Sequence, residues 1–98
     1  MNRLVQWEMF NLGTIARDFE AARDASKTTT SWAMWDGFAL NLRHVAQRLA
    51  RAREESEVLL VMADLRSLAD YVEERTGVDS LSGVWRRLMG CDRAEHLT

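Results

Sequence analysis

Apolar residues recur along the chain with a helical period in four stretches. In the first, residues 2–25, Leu4, Met9, Leu12, Ile15, Ala16, Phe19 and Ala22 fall on one broad face. Gly13 interrupts it and weakens the helix by about 1 kcal/mol relative to alanine. A polar run over residues 26–31 follows. Its short hydroxyl side chains compete for backbone hydrogen bonds and suit a link or a cap. A second stripe through Trp35, Phe38, Leu42, Val45, Leu49 and Ala52 predicts a helix capped by Thr30 or Ser31. A third, Val58, Val61, Met62, Leu65, Leu68, Ala69 and Val72, predicts a helix over 56–76 that ends at Gly77. The fourth, Leu81, Val84, Trp85, Leu88 and Met89, spans 80–89, with Asp79 or Ser80 as cap and Gly90 as stop.

The join between the second and third stretches contains neither Gly nor Pro. A heptad continued from Ala52 requires apolar residues at 56, 59, 63 and 66, and finds Ser56 and Arg66. The stripe changes phase near residues 54–57. That favours a tight turn over one long bent helix, whose core a second chain would complete. The expected architecture is all-α. It is a compact four-helix bundle of three long helices and a short C-terminal closing helix, in one domain over 1–90, with residues 91–98 as a flexible tail.

Composition supports this. The chain has no proline and five glycines, too few for a strand-and-turn fold. At 98 residues and 47% hydrophobic content it can bury one modest core without metal or disulfide staples. The single cysteine, Cys91, forms no internal disulfide, which suits a reducing compartment. Gln6 and Glu8 interrupt the N-terminal run that a signal peptide needs, and the apolar run over 58–63 is too short to span a bilayer. The expectation is a cytoplasmic protein with no membrane association.

Motif chemistry is sparse. His44 and His96 have no neighbours at metal-ligand spacing, and the glycines at 13, 37, 77, 83 and 90 build no phosphate loop. No G-x-S-x-G nucleophile turn occurs. No catalytic residue, cofactor or metal site is assigned, and a non-enzymatic protein is expected.

Candidate surfaces come from charge and from aromatics off the core stripes. Arg43, Arg48 and Arg51, with His44, share one arc of the second helix, opposite Phe38 and Leu42. Asp64, Asp70, Glu73 and Glu74 line the outer side of the third. Such faces steer partners, or remain solvated. Trp7 and Phe10 point away from the Leu12/Phe19 face, Leu60 and Tyr71 lie off the third stripe, and Trp32 sits at the mouth of the second helix. Trp, Tyr and Arg dominate binding hot spots. Apart from His44 and Leu60, these residues define the expected partner-binding set: a protein partner, with a homodimer also compatible. Nucleic acid is disfavoured by a net charge of −2.

Two stretches resemble known patterns. Trp35-Asp36-Gly37 resembles the signature of the WXG100 family of secreted proteins, which implies a helical hairpin with W-x-G at its bend. The acid of that family's export signal is replaced here by Arg75, four residues after Tyr71. Residues 70–88 resemble a helix-turn-helix, which implies a DNA-binding regulator. Gly83 and Arg86, however, occupy places where its second helix is apolar. The leading expectation is a stoichiometric inhibitor or adaptor that occupies a partner protein's surface. Phage-encoded inhibitors of host defence, anti-CRISPR proteins among them, share this size and composition.

Overall fold

The computed structural model describes residues 3–97, with side chains for residues 6–90. The expectations for the side chains of Leu4, Cys91 and His96 lie outside the described residues. The chain forms four helices: α1 (Arg3–Asp24), α2 (Thr29–Arg51), α3 (Glu55–Thr76) and α4 (Ser80–Leu97). This is the expected all-α four-helix bundle. α4 continues past Gly90, where its stop was expected, so it is longer than a short closing helix.

Local chemistry sets the boundaries. Thr28, not Thr30 or Ser31, caps α2: its hydroxyl accepts from the Ser31 amide at 3.0 Å. Ser31 instead turns its hydroxyl to Ser26 at 3.1 Å. At the other end of α3, Gly77 adopts φ 75°, and its amide donates to the Glu73 carbonyl at 2.8 Å. A left-handed residue there satisfies an orphan carbonyl of the last turn, and glycine adopts it without a Cβ clash. α2 and α3 are separate helices, as the phase change predicted. Residues 52–54 break the path, and the Arg53 amide donates to the Glu57 carboxylate at 3.3 Å.

Short links make neighbouring helices antiparallel. Glu20 meets Arg43 while Arg23 meets Asp36, so rising numbers on α1 track falling numbers on α2. Phe38 meets Tyr71 while Arg48 meets Asp64, which gives α2 and α3 the same relation. The four helices close a ring. α1 packs on α2 and α4, and α3 packs on α2 and α4, with the broadest seam between α1 and α2.

The core follows the stripes. Every buried apolar residue except Ala39 lies on an expected one. Trp35 joins as a half-buried member, with its ring 5.5 Å from Phe19 and 5.7 Å edge-on from Phe38. Met89, expected in the core, is exposed. No helix among the described residues is long and apolar enough to cross a membrane.

Candidate functional site

The seam between α1 and α4 holds a charged residue missed in the sequence. Glu8 lies on the apolar side of α1, one turn before Leu12, and is 1% exposed. Arg87 of α4 grips it with both arms of its guanidinium. Nε donates to Oε1 at 2.7 Å and Nη2 to Oε2 at 3.2 Å. Asn11 adds a bond from Nδ2 at 3.2 Å. Burial alone would raise the Glu8 carboxyl. The bonds from Arg87 and Asn11, with the Arg87 charge, outweigh it and hold the group below its ordinary value. A buried acid gripped this way fixes α4 to α1 rather than offering a free base.

Three of the expected steering charges, Arg43, Arg48 and Asp64, are paired between helices. Arg43 reaches Glu20 of α1 through two donors, at 2.6 and 3.2 Å. Each partner's ionised form is favoured by that contact: the Arg43 bond holds Glu20 below its ordinary value, and Glu20 raises Arg43. Arg48 pairs with Asp64 across the α2–α3 seam. Asp70 sits 3.9 Å from Arg66, one turn away on α3. Arg51, Glu73 and Glu74 are exposed. Within the basic arc of α2, Arg43 thus faces α1 and Arg48 faces Asp64 of α3.

The aromatics separate into distinct places. Trp7 and Phe10 are 61% and 63% exposed, and their rings stack at 5.8 Å on the outer side of α1. Trp32 is exposed beneath the Arg23 guanidinium, 5.6 Å from the ring centre. Tyr71 is half-exposed. Its ring meets Phe38 edge-on at 5.8 Å, and Arg75 lies over it at 5.1 Å. Leu40, Leu59 and Leu60 are also exposed. Leu40 and Leu59 were not singled out in the sequence, since a lone leucine off a stripe carries no signal of its own.

One open groove gathers several of the expected residues. It runs between α2 and α3 with a volume of about 420 Å³, and Val45 and Leu68 form its floor. Asn41, His44, Arg48, Asp64 and Tyr71 form its rim. Leu60 lies one turn before Asp64 on α3 and is exposed. The groove does not include Trp7 or Phe10, which lie across the bundle on α1.

The two resembled patterns take ordinary structural roles. Trp35-Asp36-Gly37 lies inside α2, not at the bend, and Asp36 accepts from Arg23 at 2.8 Å. In the helix-turn-helix-like segment, Leu81 and Val84 are buried and Arg87 is held by Glu8, while Arg86 is exposed. Compared with known proteins, the chain matches no family model, no curated protein and no solved structure.

Proposed function

We propose that the protein is a non-enzymatic protein-binding module, a stoichiometric inhibitor or adaptor that occupies a partner's surface. The observation that carries this reading is the α2–α3 groove, with its apolar floor, mixed-charge rim and exposed Leu60 and Tyr71 alongside. Apolar anchors framed by charge are the composition of a recognition patch. Leu60, 65% exposed, lies outside the buried core, which supports the same reading. The concrete case we favour is an anti-defence inhibitor of the anti-CRISPR kind, on the grounds of size and composition.

The test begins with affinity capture from the host, followed by calorimetry with the purified partner. A one-to-one complex that Leu60→Ser and Tyr71→Ala each weaken by about tenfold is expected. Leu40→Ser, on the outer face of α2, should leave affinity unchanged. A chain that binds no protein, or binds one equally well with both groove variants, contradicts the proposal.

A further inference from the structure

α1 carries a second heptad stripe on the side opposite its core face. Trp7, Phe10, Thr14, Arg17, Ala21 and Asp24 follow one another at spacings of three and four, and all six are exposed. The two aromatics are pre-stacked at the N-terminal end, while a small residue and opposite charges occupy the C-terminal half. We infer that this face binds a second copy of the chain, α1 against α1 in antiparallel orientation.

Self-complementarity selects both the occupant and the direction. A twofold interface presents the same patch twice, so each end must suit the other. In the antiparallel register, Phe10 of one copy meets Ala21 of the other, and Thr14 meets Arg17. Trp7 meets Asp24, whose carboxylate can accept from the indole N–H. Large groups then enter the space left by small ones, and the aromatic end is brought to the charged end. A parallel pair would stack Trp7 on Trp7, Arg17 on Arg17 and Asp24 on Asp24. Like charges directly opposed are unfavourable; the antiparallel pair separates the two Asp24 and offsets the two Arg17 by three residues, about 4.5 Å along the axis.

Size sets the expected strength. Covering two aromatics from each copy, with the surface they cover in return, buries roughly 1,000 Å². That is the lower edge of specific interfaces, so the dimer should be reversible and concentration-dependent. The inference is independent of the α2–α3 groove, which stays open on the far side of each protomer.

Sedimentation equilibrium of the full chain, from low micromolar to near-millimolar concentration, tests it. A reversible monomer–dimer equilibrium is expected. Trp7→Ser with Phe10→Ser should weaken it by about tenfold or more, as should Ala21→Arg at the opposite end of the stripe. Leu40→Ser, an equally exposed apolar residue outside the stripe, should not. Direction is read with spin labels on Thr14→Cys and Ala25→Cys, each in a Cys91→Ser background. The Thr14 labels should lie close together. The Ala25 labels should be displaced along the helix by about 28 Å, the rise of 19 residues. A monomer at every concentration overturns the inference, as does equal weakening by Leu40→Ser or short distances at both labels. So does a chain that stays monomeric while Trp7 and Phe10 are needed for a different protein.

Discussion

Glu8 is the residue whose environment is least like its chemistry. A carboxylate sealed in an apolar seam is costly, and only the Arg87 and Asn11 donors make it tolerable. Arg87→Ala should therefore destabilise the fold by about 2–3 kcal/mol at neutral pH in urea denaturation. That is below the usual cost of breaking a buried pair, because Arg87 is itself half-exposed. Glu8→Gln should cost less, since a neutral amide leaves no charge behind. The pH dependence has a definite sign. Glu8 titrates lower in the folded chain than its ordinary value of 4.5, so its contribution is complete above that value. It is lost as pH falls through the folded value. In Arg87→Ala that acid-side loss should flatten, which urea titrations at stepped pH will show. Sequence reading missed this acid, because Glu8 entered it only as a break in an N-terminal apolar run. Its partner, 79 residues away, was not legible either, because no local pattern links residues brought together only by helix packing.

At the scale of elements, boundaries were legible where one residue type alone fits. Gly77 was identifiable because few residues other than glycine accept a left-handed cap. The start of α2 was not, because three consecutive threonines offer equivalent caps. In the structure Thr28 accepts from the Ser31 amide, while the Ser31 hydroxyl is engaged by Ser26. Thr28→Ala should cost about 1 kcal/mol, while Thr30→Ala should be near neutral, as measured by thermal unfolding. Gly37 behaves in the opposite way to a signature glycine. It sits inside a helix, without positive φ, and an added methyl group would meet no other atom. Gly37→Ala should raise stability by about 0.5–1 kcal/mol, because alanine loses less backbone freedom on folding. A loss of stability there would restore a special role for the W-x-G motif.

For the whole molecule, apolar periodicity specified which side of each helix turns inward, but not which helices would be neighbours. Segregated charge was plain along the chain. That Arg43 belongs to Glu20 and Arg48 to Asp64 depends on the order of helices around the ring. The functional faces were correspondingly harder to read than the fold, since a groove exists only once two helices are paired. The same ring order has a kinetic consequence. The seam between α1 and α2 joins segments close in sequence, whereas the seam between α1 and α4 must close nearly the entire chain. Closing a long loop costs entropy before any contact rewards it. The α1–α2 hairpin, with Phe19 and Phe38 in contact at 6.1 Å, should thus be formed in the rate-limiting state, and the Glu8 clamp should not. Arg87→Ala is then expected to accelerate unfolding and leave the folding rate nearly unchanged, while Phe38→Leu slows folding. Stopped-flow chevrons of the two variants separate these outcomes. The residue that binds the ends of the chain together governs how long the protein stays folded, not how fast it gets there.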